Sequence, residues 1–370
     1  MSKIKLFNVA QSEEIEKSAV AVLRSGQLSS GEAVSNFERR FAEFNNSENT
    51  VACNDMTSAL ELVLNINGVG AGDEVLASPF ACLSTNAAIA TSGATPVWVD
   101  FKENSLSLDL EDIRRKITTK TKALILYHTA GYVCELDSIV NLCKERGIIL
   151  IEDCNNALGA RFQNRNVGNF GDYSVFSFYP NRFLHCVEGA MLVCRNRDDA
   201  IFARKLRRFG IDFRTFRGSD GEININSDVP VISNSKVLSN LNAAIGLAQF
   251  EQLNGKLIKV QNNFKVLNER LKSIQGIRVV GNTPDSKSIP WVMFLLVEQR
   301  ERLSAHLKNN HIEVSRVHCR NDYYSGFSKS GNIGLPNLDS IEKHLLGIPC
   351  GWWLSEEDLI YIVEKIKEIY

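Results

Sequence analysis

The chain predicts an α/β fold: a mostly parallel sheet in a large domain, with a smaller α+β domain behind it. Three observations carry this. Over the first two thirds, short β-rich runs alternate with segments whose apolar residues recur at helical spacing. From Leu238 to about Ile274 the pattern becomes continuously helical. The remainder, roughly 275–370, mixes strand and helix patterns. Strand, helix, strand in repetition argues for parallel strands covered by helices on both faces.

The strand candidates are 74–77 (EVLA), 96–99 (PVWV), 123–127 (ALILY), 148–152 (IILIE), 173–178 (YSVFSF) and 190–194 (AMLVC). Between them lie helical patterns from Thr57 (TSALELVLNI), from Asp109 (DLEDIRRKI) and over 135–147 (ELDSIVNLCKERG), the last closing on Gly147. In FERRFAEF, Phe37, Phe41 and Phe44 share one helical face and read as core. The long helix from Leu238 is expected to break near Asn254–Gly255. Strands follow near 277–280 and 291–297, then a helix from Ser304. The closing helix opens on Ser355 with Glu and Asp in its first turn, an N-terminal signature. The large domain is placed at 1–245 and the small one at 246–370. Trp352-Trp353 reads as packing where the tail helix joins the small domain. Residues 213–235 are polar, aperiodic and long for a connection, so they cover a site, meet a partner or are disordered.

Composition excludes several classes. The 370 residues suit about two domains, and 42 basic against 43 acidic side chains leave no field to draw nucleic acid or an anionic membrane. No stretch approaches the ~18–20 apolar residues of a membrane span, and no apolar run follows the first lysines, so cytoplasmic residence is the expectation. Nine cysteines stand singly, without a CxxC pair, which suits free thiols rather than disulfides or zinc.

In sheets of this kind ligands sit beyond the carboxyl ends of the strands. Asp153, Ser177 and His128 fall close to such ends. For Asp153 taken alone, a ligand contact and a helix N-cap are both open.

Residues 151–190, IEDCNNALGARFQNRNVGNFGDYSVFSFYPNRFLHCVEGA, resemble the cofactor segment of the DegT/DnrJ/EryC1/StrS sugar aminotransferase family. The resemblance extends nearly end to end, through SGQLSSGEAVSNFERRFAEF, VGAGDEVLASPFACLSTNAAI, GATPVWVDF, LDLEDIRRKITTKTKALI, KLRRFGID, NAAIGLAQFEQL, VSRVHCRNDYYSGF and IPCGWWLSEEDL. It implies an aspartate-aminotransferase-like, fold-type I architecture with a seven-stranded type of sheet. It also implies a homodimer with shared sites and a nucleotide-sugar substrate, aminated with the help of pyridoxal phosphate (PLP).

Position by position, the resemblance places Thr57 and Ser58 at the helix opening that holds the cofactor phosphate, Asp153 at the pyridine nitrogen, Asn156 near the ring hydroxyl, Ser177 at the phosphate and Cys82 on the ring face. The family's Schiff-base Lys, about thirty residues after the Asp, is here Arg182. A guanidinium stays protonated and delocalised, so it cannot attack an aldehyde. Other departures accompany it: Met56 where the family has Gly, Ala190 in the glycine turn, and Ser235 and Val237 where a neighbouring subunit supplies Asn and Arg. Relaxation of the whole site explains these together better than a single introduced change. No lysine lies between Lys144 and Lys205 to substitute. Arg316, His318 and Arg320, in SRVHCRND, offer donors suited to a sugar or diphosphate, with surface salt bridges as the plain alternative.

Three functions stay open. The chain is a relative that has lost or altered transamination; or it uses PLP or pyridoxamine phosphate non-covalently, as an aminotransferase or 3-dehydratase with His185 as base; or it is an ordinary aminotransferase. The first reading requires no cofactor at all. No metal is expected.

Overall fold

The apolar runs of the first half become strands of a single sheet. The computed structural model describes residues 3–330 and 334–370. Helices α1 (Glu13–Ser25) and α2 (Glu32–Asn45) lead into β1 (Thr50–Cys53), α3 (Met56–Ile66), β2 (Glu74–Ala77), α4 (Leu83–Thr91) and β3 (Thr95–Trp98). Then come α5 (Leu110–Lys116), β4 (Thr121–Tyr127), α6 (Asp137–Arg146) and β5 (Ile149–Asp153). A short ribbon, β6 (Arg161–Phe162) and β7 (Arg165–Asn166), precedes β8 (Tyr173–Ser177), β9 (Ala190–Cys194) and α7 (Arg197–Leu206). Helices α8 (Asn240–Leu247) and α9 (Phe250–Leu271) cross to β10 (Ile277–Val279), β11 (Ser286–Lys287) and β12 (Met293–Val297). The chain closes with α10 (Arg300–Asn309), α11 (Pro336–His344), β13 (Leu345–Ile348) and α12 (Glu356–Lys367).

The large sheet has seven strands in the order β1-β9-β8-β5-β4-β2-β3. From β8 to β3 every pairing is parallel, and β9 alone runs antiparallel to its neighbours β8 and β1. Every residue of β9 is buried, and so is nearly every residue of β4 and β5. Successive side chains point to opposite faces, so burial of consecutive residues means that both faces are covered. Phe37 and Phe41 of α2 are fully buried against Phe178 and Phe176, as their spacing predicts. A second sheet, β10-β12-β13, is antiparallel and packs Leu295, Val297 and Leu346 against Leu267, Leu303 and Ile362 in a core of its own.

The predicted strands of the large sheet are present, each within two residues of its expected limits. Besides the two-residue strands β6, β7 and β11, two longer ones went unread. TVAC (β1) and LLGI (β13) are four-residue apolar runs without alternation, which periodicity cannot distinguish from buried helix. The helix from Ser304 begins instead at Arg300.

The break in the long helix is also displaced. Gly255 lies inside α9, and the interruption falls at Ala248–Gln249. Glycine weakens a helix but does not by itself end one. The Gln249 side chain is buried at the junction, where its amide donates to the carbonyls of His185 (2.6 Å) and Ile245 (2.8 Å). A tertiary hydrogen bond sets this boundary. In α12, Ser355 and Asp358 form the reciprocal cap that their spacing predicts.

Beneath the strand ends, His128 and Glu152 are completely buried. Glu152 accepts from the backbone N–H groups of Gly168 (2.8 Å), Phe170 (2.7 Å) and Gly171 (2.7 Å), which pins the loop leading into β8. Cys134 N–H donates to His128 Nδ1 (3.2 Å), so the imidazole carries its proton on Nε2 and donates to Glu152 (3.2 Å). This cluster, with Cys154 beside it, is the one grouping of metal-ligand type among the described residues. Its acceptors are already engaged by the protein. Glu152→Ala would orphan one buried and two half-buried backbone donors and is expected to lower stability by about 2–3 kcal/mol, with Glu152→Gln losing less. Denaturant unfolding of the two variants would measure this difference.

Candidate functional site

The carboxyl ends of β5 and β8 open on a cavity of about 480 Å³, a size suited to a small organic ligand. Its walls include Asp55, Met56 and Thr57 at the start of α3, Cys82 and Ser84 at the start of α4, and Asn155, Ser177, Tyr179, Asn181 and Arg182 after the strands. Glu188, Gly189, Trp291, Val317 and His318 complete it.

Arg182 dominates the electrostatics. Its side chain is buried at 7% exposure, and its hydrogen-bond partners are neutral. Nε (2.9 Å) and Nη2 (2.6 Å) both donate to Asn155 Oδ1, and Nη1 donates to Asn181 Oδ1 (2.6 Å). The guanidinium lies over the indole of Trp291, 4.6 Å from the ring centre. Trp291 is itself fixed, stacked on Phe7 and donating its Nε1 proton to the Asn181 carbonyl (2.8 Å). Desolvation pulls the guanidinium below its ordinary range, but an arginine so displaced still keeps its proton.

Asp153 ends β5 behind the wall and is completely buried. Thr85 Oγ1 donates to one carboxylate oxygen (2.6 Å) and Asn155 N–H to the other (2.9 Å). Burial raises its pKa from 3.8 to about 6, with both hydrogen bonds opposing the shift. Nearby, the Tyr127 hydroxyl donates to Asn156 Oδ1 (2.9 Å), accepts from Ala130 N–H (3.0 Å) and meets His318 Nε2 (3.1 Å). Burial and then the Arg182 charge push His318 down to about 3, so it is neutral at physiological pH. Asn156 Nδ2 is buried without a partner.

At the opening of α3, Asp55 takes the N-cap. One carboxylate oxygen accepts from Ser58 N–H (2.8 Å) and the other from Ser58 Oγ (2.7 Å). The Thr57 hydroxyl is turned to the Ser84 carbonyl (3.2 Å). Cys82 is a thiol rather than a thiolate, because desolvation raises its pKa.

Of the residues singled out by sequence, the structure gathers Thr57, Cys82, Ser177, Arg182 and His318 on the cavity wall, with Ser58, Asp153 and Asn156 close behind it. Four others do not reach it. His128 is enclosed with Glu152, and His185 is buried with Nε2 on the Ala10 carbonyl (2.9 Å). Arg320 is held by Asp322, Asp339 and Glu342. Arg316, mostly exposed, pairs with Glu301 in a neighbouring groove that shares Val317 and His318 with the cavity. The strand-end position of His128 was legible, but its inward rotamer was not. Sequence reasoning also passed over Asp55, Asn155, Asn181, Glu188 and Trp291. Asp55 carried a signal, since Asp before a helical run marks an N-cap; Trp291 carried none.

PLP held as an imine does not fit this set. Position 182 presents a resonance-stabilised cation, and no lysine is among the lining residues.

The comparisons agree with the architecture. The model of the DegT/DnrJ/EryC1/StrS aminotransferase family matches residues 9–367. The GDP-perosamine synthase of Escherichia coli O157:H7 is 31% identical over 349 residues, covering 92% of this chain and 91% of that protein. Among solved structures, AtS13 from Actinomadura melliaura superposes with a TM-score of 0.94 at 30% identity, covering 100% of this chain and 99% of that one. The sugar aminotransferase CalS13 from Micromonospora echinospora superposes with a TM-score of 0.93 at 28% identity, covering 99% and 100%.

A raised carboxyl pKa has a defined sign in stability. The native state favours protonated Asp153, so its contribution is fully present below 3.8 and is lost as pH rises through about 6. Asp153→Asn should therefore gain on the parent between about pH 4 and 7, by up to about 3 kcal/mol. Denaturant melts across that range check this; a flat difference would mean that Thr85 and Asn155 fully stabilise the carboxylate.

Proposed function

This chain belongs to the DegT/DnrJ/EryC1/StrS aminotransferase family, and we propose that it serves nucleotide-sugar or polysaccharide biosynthesis as a member that cannot form an internal aldimine. Transaminase activity is on this reading lost or altered. The observation behind it is the Arg182 guanidinium, forked on Asn155 and laid over Trp291 where a neutral amine would be needed.

What the site keeps suits a sugar nucleotide. Arg182 uses three of a guanidinium's five N–H bonds on protein atoms and has two left for an anionic oxygen. Neutral His318 offers a polar edge, and Trp291, its ring held between Phe7 and Arg182, backs the guanidinium from the wall. One relative is named for a GDP-linked sugar, which makes GDP-sugars the first ligands to test.

A second reading has support of its own. Asp153 stands at its strand end, and Asn156 Nδ2 lacks a partner, an arrangement that suits a pyridine cofactor held without a covalent bond. On that reading the protein is a PLP- or pyridoxamine-phosphate-dependent nucleotide-sugar aminotransferase or 3-dehydratase. His185 is not its base, because Nε2 is committed to Ala10 away from the cavity. The base would be another group.

We also propose a cytoplasmic homodimer with shared sites, lacking nucleic-acid and membrane partners. Among the described residues, no helix is long and apolar enough to cross a membrane. Support for the dimer comes from apolar side chains exposed on the long loop and near the cavity turn: Val187, Phe209, Phe213, Ile225 and Ile232, with Ile225 at 93% exposure. The 213–235 loop contributes nothing to the cavity wall, which favours the partner role among its three expected ones.

The purified protein is expected to be colourless after incubation with PLP and to yield no borohydride-reducible adduct. A yellow protein with a reducible adduct would refute the reading. Millimolar pyridoxamine phosphate should leave the melting temperature unchanged, whereas a GDP-sugar should raise it, as any ligand of the native state must. The opposite pattern would favour the second reading. Light scattering should give twice the 41.3 kDa chain mass, reduced to one chain in Ile225→Asp/Ile232→Asp.

A further inference from the structure

Helix α3 opens onto the cavity, and an 11-residue helix presents free N–H groups and a partial positive charge at its start. Here that seat holds an anion belonging to the chain. Both oxygens of Asp55 are engaged by Ser58, one by its backbone N–H and one by its hydroxyl. The remaining N–H groups of the first turn belong to Met56 and Thr57, the two residues that follow Asp55. The Met56 side chain occupies the position next to it, and the Thr57 hydroxyl is committed to Ser84. Glu188 adds a second acidic group to the cavity wall.

We propose that Asp55 closes the α3 end of the cavity to phosphate and makes it a wall that accepts hydrogen-bond donors, such as the hydroxyl or ammonium groups of a sugar. The inference rests on the reading of the site as one without an internal aldimine and extends it. The loss then involves more than the nucleophile, because the anchor for a cofactor's phosphate is occupied as well. A phosphate arriving at α3 would meet a carboxylate already bonded to the Ser58 N–H and hydroxyl, and like charges at such close range repel. A hydroxymethyl or sugar hydroxyl would instead donate to Asp55.

The test compares two aldehydes that differ at one substituent, PLP and pyridoxal, which carries a hydroxymethyl group in place of the phosphate ester. Arg182→Lys supplies an amine that either aldehyde can condense with, releasing water. Borohydride then delivers hydride to the imine carbon and fixes the adduct as a secondary amine, which peptide mass spectrometry locates. The readout is the ratio of PLP to pyridoxal labelling at position 182, measured in Arg182→Lys and in Asp55→Ser/Arg182→Lys. We expect no preference for PLP in the first protein and a shift towards PLP of roughly tenfold or more in the second, the size of a regained charge-assisted phosphate contact. Asp55→Asn keeps the capping acceptor and removes only the charge; it replaces the Ser variant if that one does not fold.

An Arg182→Lys protein that already prefers PLP, with a ratio indifferent to position 55, overturns the proposal. So does the absence of labelling at 182 in both proteins when each melts like the parent. Labelling of the unsubstituted protein would be a different failure, that of the reading on which the proposal rests.

Discussion

A guanidinium without a carboxylate partner governs this site. Moving a cation out of water costs several kcal/mol unless other groups replace its hydration. Around Arg182 that replacement is made by the amide oxygens of Asn155 and Asn181 and by the face of Trp291. Each of these is held in turn. Asn155 donates its N–H to Asp153, and Trp291 is stacked on Phe7 and tied to the Asn181 carbonyl. The ends of two strands, the loop after β8 and the N-terminal segment are therefore organised around one side chain. A neutral amine in the same place would leave Asn155 and Asn181 without their charged donor.

The second consequence is that the cavity carries both signs of charge. Arg182 lines it together with Asp55 and Glu188. His318, kept neutral by burial and by the arginine, adds no positive charge. Asp153, raised to about 6, is ionised at neutral pH only against the cost of its burial. A ligand with an anionic portion and a hydroxyl-rich portion matches this pattern, and that description fits a nucleotide sugar. The Arg320 cluster and the His128–Glu152 pair, by contrast, spend their hydrogen bonds internally and hold the fold that surrounds the cavity.

Sequence reading located the strands of the large sheet because buried parallel strands are compact apolar runs with turn residues between them. It missed β1 and β13, whose four-residue runs carry no periodicity, and it misplaced the break between α8 and α9. Glycine at 255 was the local signal for that break. The actual cause is Gln249 reaching the carbonyl of His185, a contact between residues 64 apart in the chain. Among site residues, those near strand ends and helix openings were legible because their place follows from the fold class. His185, Arg316 and Arg320 were attractive by residue type, yet their partners draw them elsewhere.

Taken alone, the amino-acid sequence determined the family architecture and put a guanidinium rather than an amine at position 182, because side-chain type is a property of the residue and holds in any conformation. Tertiary structure decided what occupies the space instead. Only folding brings Trp291 under Arg182 and Asn155 to its fork, and lays the α3 opening, capped by Asp55, along the same cavity wall. These groups come from segments far apart in the chain. The desolvation that shifts Arg182, His318 and Asp153 exists only once the sheet and its helices have closed around them.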